Sequence, residues 1–168
     1  KHVSEFEVAV DENSSLARST AFPYYDYPNF GGVGSYIEYD VNFEKNGLYR
    51  LSLGNVTRDQ SNWKNNKCIV SVSVDGEILN EQIDLFKENL SSTYIGEIAV
   101  KQPGVKKIRF TCIGKNSEAS FAGMRMAIEC LYMDSRGEYN EVSINGRDNL
   151  NAGQGVMVKL TDADDNYV

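Results

Sequence analysis

Histidine is nearly absent from this chain of 168 residues, which contains only His2. Most zinc sites need histidine or several cysteines, and serine or cysteine nucleophiles normally need a histidine base. The three cysteines, Cys68, Cys112 and Cys130, lie in apolar, β-rich segments, where a free thiol behaves as a small buried hydrophobe. One disulfide with an odd cysteine is the alternative. The composition argues against zinc sites and against histidine-dependent hydrolases.

The chain also has no excess of positive charge, because it contains 17 Lys and Arg but 24 Asp and Glu, for a net charge of −7. Nucleic acids and anionic membranes are bound through clustered Lys and Arg, whereas the basic residues here are scattered. No apolar run approaches the roughly 20 residues that a membrane-spanning helix needs. We therefore expect neither a nucleic-acid partner nor a membrane partner.

Alternation of apolar and polar residues recurs along the chain, whereas helical periodicity is scarce. The clearest case is Ser35 to Gly76, which reads as strand, turn, strand, long loop and strand, and ends in the tight-turn dipeptide Asp75-Gly76. A period of two is typical of half-buried strands. Further strands are predicted over residues 3–10, 94–100, 105–113 and 119–133. Many short strands with turns between them predict an all-β protein, a two-sheet antiparallel β-sandwich of the jelly-roll type.

Two stretches near the N-terminus are predicted to be loops. Residues 11–20 are polar, and residues 21–34 combine five aromatics with proline and glycine. The aromatic loop either plugs one end of the sandwich or presents a stacking surface. Residues 1–133 are predicted to form the sandwich, and residues 134–168 a final edge strand or the start of a linker to another module.

The long loop after residue 53 is the first candidate for function, because it carries the only tryptophan, Trp63, among polar residues. Sugars are bound by stacking an aromatic ring on their C–H face and by giving their hydroxyls polar partners. Trp63 could instead cap the edge of the sheet. The candidate ligand-binding residues are Trp63, Arg58, Asn62, Tyr24, Tyr25, Tyr27 and Tyr94.

The order of these features resembles a known family. Residues 36–41 read YIEYDV, residues 47–53 GLYRLSL, residues 72–76 VSVDG, and residues 103–110 PGVKKIRF. This pattern, over roughly residues 3–133, is similar to the galactose-binding-like jelly roll of carbohydrate-binding modules, closest to families 6 and 35.

The resemblance implies a non-catalytic module that targets a larger secreted or cell-surface bacterial protein to a polysaccharide or other glycan. Such a module is expected to be a monomer, joined covalently to other modules. The alternative is a structural or adhesive sandwich, a spacer or protein-contact module without a glycan site. An enzyme is the third possibility, but no pair of carboxylates stands out in the sequence as catalytic.

The resemblance also implies a structural calcium ion. Glu5 and Glu7, on one face of the predicted first strand, match the family's early acidic ligands, and Asp134 could supply another oxygen. Calcium needs six to eight oxygen ligands. The alternative is that the two glutamates simply face solvent on an edge strand.

Overall fold

The computed structural model describes residues 1–19, 25–55, 68–86, 92–119 and 123–137. These residues contain strands and one short 3₁₀ turn, Val3–Glu5, and no helix among them is long and apolar enough to cross a membrane. The strands are β1 (Glu7–Val10), β2 (Ser15–Arg18), β3 (Asp26–Phe30), β4 (Tyr36–Phe43), β5 (Gly47–Asn55), β6 (Cys68–Val74), β7 (Glu77–Asp84), β8 (Ser92–Val100), β9 (Gly104–Lys115), β10 (Met124–Arg125) and β11 (Ile128–Ser135).

The strands form two antiparallel sheets. The first sheet has the order β1-β4-β9-β6-β7, and the second has the order β10-β3-β11-β5-β8, with β2 paired to β3. The predicted fold class, a two-sheet antiparallel β-sandwich, is confirmed. The predicted turn at Asp75-Gly76 is also present, because both residues have positive φ, 50° and 88°, as a tight hairpin requires.

The core lies between the sheets and is filled by the inward side chains of both. Ile37 and Val41 of β4 and Phe110 of β9 meet Leu51 and Leu53 of β5, and all five are almost completely buried. Burying each such side chain contributes roughly 1.5–3 kcal/mol. The three cysteines, all within the described residues, form no disulfide: Cys68 and Cys112 are buried as predicted, and Cys130 is half-buried.

The N-terminal part differs from the prediction at three places. Residues 3–5 form a 3₁₀ turn and not the start of a strand, while β2 and β3 lie in stretches that we predicted to be loops. The apolar alternation did not identify β3, because its inward positions hold Asp26 and Pro28 as well as Phe30. A buried aspartate interrupts the apolar alternation by which a strand is recognised.

The predicted strand over residues 119–133 is present as β10 and β11, and β11 runs on to Ser135. The division into a sandwich and a C-terminal appendage stays a prediction, because residues 138–168 lie outside the described ranges.

Candidate functional site

The site begins at a β-bulge in the edge strand β8. Leu51 of β5 pairs with Gly96, but the next residue, Ser52, pairs with Tyr94, so that Ile95 is the extra residue. A bulge re-aims the side chains around it. Ile95 is fully buried, whereas Tyr94 points outward and is 48% exposed. The alternation in the sequence groups Tyr94 with Gly96, whereas the bulge leaves Tyr94 exposed and both Ile95 and Gly96 buried.

The bulge brings Tyr94 into one row with a second exposed tyrosine. Ser52 pairs with Tyr94 on one side and with Tyr132 of β11 on the other, and Tyr132 is 46% exposed. Directly paired residues point to the same face of a sheet. Since neighbouring strands lie about 4.8 Å apart, the two tyrosine backbones are about 10 Å apart across Ser52. Two exposed rings thus flank a small polar residue.

Gly54 leaves room for the thiol of Cys130 and lies next to the ring of Tyr132. A Cβ atom at Gly54 would lie 2.6 Å from Cys130 Sγ and 3.4 Å from Tyr132 Cε2. The thiol and the ring edge therefore lie over β5 where that strand has no side chain. A hydrogen bond with Cys130 raises the pKa of Tyr132 above its ordinary value.

Charged groups line one side of this row. The guanidinium carbon of Arg50 lies 5.0 Å from the centre of the Tyr94 ring, within cation–π range. The register partners of Arg50 are Glu97 on β8 and Asp134 on β11. We call this surface the tyrosine face, defined by Arg50, Ser52, Gly54, Tyr94 and Tyr132. It offers flat apolar rings beside hydrogen-bond donors and acceptors.

The outer face of the first sheet is different, because ion pairs cover it. Arg109 lies 4.0 Å from the centre of the Tyr36 ring, and its Nη2 is 2.8 Å from Glu38 Oε2. Lys107 Nζ lies 2.7 Å from Asp40 Oδ1. The Tyr36 ring is less exposed than that of Tyr94, and the guanidinium over it is already paired with Glu38. The tyrosine face is therefore the better candidate for stacking a ligand.

No protein-family model matches the chain, and no curated protein is similar to it in sequence. Solved structures do resemble it. A native family 35 carbohydrate-binding module from Clostridium thermocellum superimposes with a TM-score of 0.53 and 20% identity, over 80% of this chain and 95% of the module. The chain has the fold of a family 35 carbohydrate-binding module.

Longer proteins contain the same fold. A xanthan lyase from Paenibacillus matches 81% of this chain with a TM-score of 0.67 and 18% identity. A Podospora anserina GH26-CBM35 β-(1,4)-mannanase matches 86% of it with a TM-score of 0.51 and 12% identity. The chain spans only 13% of the lyase chain and 29% of the mannanase chain. At such low identities the likeness concerns the fold.

Within this carbohydrate-binding-module fold, Tyr25 and Tyr27, two of the predicted ligand-binding residues, are less exposed than Tyr94. Tyr25 is only 9% exposed, packs near Ala127 and meets Tyr27 edge to face, with ring centres 5.9 Å apart. Tyr27 is half-buried. For Tyr25 the structure favours the packing interpretation over a stacking surface.

The other predicted ligand-binding residues, Tyr24, Arg58, Asn62 and Trp63, lie outside the described residues, and their role stays a prediction. The strand ends next to them are neighbours in space, because Asp26 and Asn55 both pair with Ile128, from opposite sides. The sequence pattern carried no sign of Tyr132 or Arg50 as site residues, since their significance depends on which strands are adjacent.

The predicted calcium ligands are held by different parts of the module fold. Glu5 lies in the 3₁₀ turn, where its Oε1 accepts a hydrogen bond of 2.8 Å from the backbone N–H of His2. Glu7 pairs with Asp40 in the first sheet, whereas Asp134 belongs to the second sheet. Within the described ranges, no three acidic, histidine or cysteine residues are grouped as metal ligands. Calcium binding by Glu5, Glu7 and Asp134 stays a prediction.

Proposed function

We propose that this chain is a non-catalytic carbohydrate-binding module that binds a polysaccharide on the tyrosine face. One observation carries the proposal: Tyr94 and Tyr132 are exposed on the same face, one on each side of Ser52. Binding of a ligand over large exposed rings lowers the free energy, and a sheet holds the rings in fixed positions. The fold shared with carbohydrate-binding modules supports the proposal.

The chemistry of the face suits a sugar. The C–H face of a pyranose ring can stack on a tyrosine, while its hydroxyls need hydrogen-bond partners once water is displaced. The Ser52 hydroxyl, the Arg50 guanidinium and the tyrosine hydroxyls supply donors, and the register partners of Arg50, Glu97 and Asp134, supply acceptors. No acid–base chemistry is required, because binding alone is the function.

The charges on and around the face favour a neutral glycan. Arg50, the cation among the five residues that define the tyrosine face, has one carboxylate on each paired strand, and the whole chain carries a net charge of −7. A polyanionic chain would meet repulsion from this field. We therefore expect neutral polysaccharides to bind more tightly than those rich in uronic acids.

The proposed setting is a larger protein. The chain matches only a small share of the lyase and mannanase chains, which supports a module joined to others in a longer polypeptide. Polysaccharides of this kind are met outside the cell, so we propose that the parent protein is secreted or displayed on a bacterial surface. Monomeric binding is sufficient for the proposed role.

Glycan-array binding of the chain, followed by calorimetry with the best neutral polysaccharide, tests the function. Tyr94→Ala should weaken binding about tenfold, because stacking on one aromatic ring contributes roughly 1–3 kcal/mol, by analogy with base stacking, and 1.4 kcal/mol corresponds to a decade. Its matched control is Tyr36→Ala on the outer face of the first sheet, which should bind like the unmodified chain.

Two outcomes would contradict the proposal. A chain that binds no glycan would support a structural or adhesive spacer. If Tyr94→Ala binds the glycan as tightly as the unmodified chain does, the glycan is not bound on the tyrosine face. The loop that carries Trp63 would then be the better candidate.

Gly54 offers a second test of the face. A methyl group at Gly54 would collide with Cys130 Sγ at 2.6 Å, and relief of this collision would shift Cys130 next to the Tyr132 ring, whose Cε2 lies 3.4 Å from the added carbon. Gly54→Ala should weaken glycan binding several-fold and destabilise the fold by about 1–3 kcal/mol, as overpacking does.

Adding Cys130→Ala to Gly54→Ala should restore part of both losses, because it removes the colliding sulfur. Gly32→Ala is the control, since a Cβ atom there would have no neighbour within 4 Å. If Gly54→Ala binds glycan as well as Gly32→Ala does, the ligand does not contact the Tyr132 side of the face.

A further inference from the structure

Three sulfur atoms from three different strands meet in the core between the two sheets. Cys68 is the first residue of β6, Cys112 lies in β9, and Met124 is the first residue of β10. Cys112 Sγ lies 3.3 Å from Met124 Sδ, and the Cys68 thiol forms a hydrogen bond with Cys112. We call these three residues the sulfur cluster.

The two cysteines are diagonal neighbours on the inner face of the first sheet. Cys112 pairs with Val70, and Cys68 lies two positions before Val70 on the same strand; both cysteines are fully buried. The Cα atoms of diagonal neighbours are about 7–8 Å apart, whereas a disulfide joins Cα atoms that are at most about 7 Å apart. The two sulfur atoms are therefore better placed to share an ion than to bond to each other.

The chemistry of these ligands favours a soft metal ion. Thiolate and thioether sulfur suits Cu(I), whereas a structural zinc ion almost always takes four protein ligands. Within the described ranges, no histidine or carboxylate joins the two cysteines in a group of three. Two or three sulfur ligands are sufficient for Cu(I), and the sulfur cluster supplies three.

The thiol protons occupy the place that an ion would take. Cys112 donates its S–H to Met124 Sδ, and Cys68 donates to the carbonyl oxygen of Arg125 at 3.2 Å. Thiols bind metals as thiolates, so an ion replaces these protons. Two metal–sulfur bonds of about 2.3 Å span the 3.3 Å between Cys112 and Met124 at an angle of roughly 90°. Small side-chain shifts are therefore enough to admit an ion.

The surroundings of the cluster suit both entry and charge. Met124 is half-buried, so the cluster has one side near the surface, where an ion can reach the two covered thiols. The register partner of Cys68 is Lys115, which is also half-buried. Because directly paired residues share a face of the sheet, a cationic residue lies next to the thiols and offsets part of the negative charge of two thiolates.

We propose that Cys68, Cys112 and Met124 form a binding site for one Cu(I) ion. The ion binds and leaves as Cu(I), and its binding releases the thiol protons without any change of oxidation state. A bound ion connects β6 and β9 of the first sheet to β10 of the second. The inference is independent of the proposed glycan binding, because none of these residues belongs to the tyrosine face.

Anaerobic titration of the reduced full chain with Cu(I), in competition with a coloured Cu(I) chelator, tests the proposal. The unmodified chain should withdraw one Cu(I) ion per molecule from the chelator, and Cys112→Ala should lose this site. Met124→Leu nearly conserves the side-chain volume and removes only the thioether. It should bind about tenfold more weakly or worse, since even the loss of an outer-shell partner lowers metal affinity roughly 10–100-fold.

Cys130→Ala is the matched control, because Cys130 is the remaining cysteine and pairs with Gly54, away from the sulfur cluster. It should keep one Cu(I) site of unchanged affinity. The unmodified chain unfolded in urea retains all three thiols but must close the chain between them to bind an ion. It should therefore bind Cu(I) about tenfold more weakly or worse than the folded chain.

Equal affinity of the folded and the unfolded chain would overturn the proposal, because it would show binding by accessible thiols without a built site. Unchanged binding by Met124→Leu, loss of binding in Cys130→Ala, or a preference for Zn²⁺ over Cu(I) would also overturn it. If Cys112→Ala does not fold, Cys68→Ala removes the other thiol of the cluster. Tight binding of Cu(I) by folded Cys68→Ala would then contradict the assignment.

Discussion

Removing both rings of the tyrosine face, in Tyr94→Ala/Tyr132→Ala, should lower the affinity for the bound polysaccharide about 100-fold or more. Each stacked ring is expected to contribute roughly 1–3 kcal/mol, and 1.4 kcal/mol corresponds to tenfold. The two backbones are about 10 Å apart, far enough for independent contributions to add. Calorimetry on the two single variants and the double variant measures this directly.

Phenylalanine variants separate the ring from the hydroxyl. Tyr94→Phe/Tyr132→Phe keeps both stacking surfaces and should lose much less affinity than the alanine pair. A double alanine variant that binds no more weakly than Tyr94→Ala alone would mean that the sugar contacts only the β8 side of the face. Equal unfolding midpoints for all variants would show that the loss concerns binding, since both rings are about half-exposed.

The largest expected loss of stability follows from Asp26→Ala. The substitution leaves the Arg18 guanidinium and the Tyr39 hydroxyl without their shared acceptor in a buried position. The buried Tyr39 hydroxyl then lacks its acceptor, and Arg18, whose side chain is 37% exposed, loses its charged partner, so the substitution should cost about 2–4 kcal/mol. Urea unfolding should show a lower midpoint with an unchanged slope.

Lys106→Ala provides the comparison for an exposed pair. Lys106 Nζ and Asp75 Oδ2 are 2.9 Å apart, as close as Arg18 Nε and Asp26 Oδ1, but the Asp75 side chain is 44% exposed, whereas that of Asp26 is 2% exposed. Exposed pairs contribute about 1 kcal/mol or less. If Asp26→Ala proves no more destabilising than Lys106→Ala, the contacts of Asp26 with Arg18 and Tyr39 contribute no more than an exposed pair.

Local patterns in the sequence were sufficient for the strands that face the core with apolar residues. The alternation in β4 and in β9, and the turn at Asp75-Gly76, identified an antiparallel sandwich because period two and positive φ are properties of a few neighbouring residues. The same rule failed for β3, where Asp26 occupies an inward position. A buried charge is stable only with a partner, and that partner, Arg18, could not be recognised before the hairpin was known.

The candidate site depended on contacts between distant segments. Sequence alone determined that this chain is a β-sandwich whose basic residues are scattered, and it identified Tyr94 as a candidate ligand-binding residue. Only the tertiary structure decided that a bulge at Ile95 turns Tyr94 outward and that Tyr132, 38 positions later in the chain, lies in the same row across Ser52. The physical reason is that the register between strands determines which side of the sheet a residue faces and which residues lie next to it. Register is a property of the pairing rather than of any one strand.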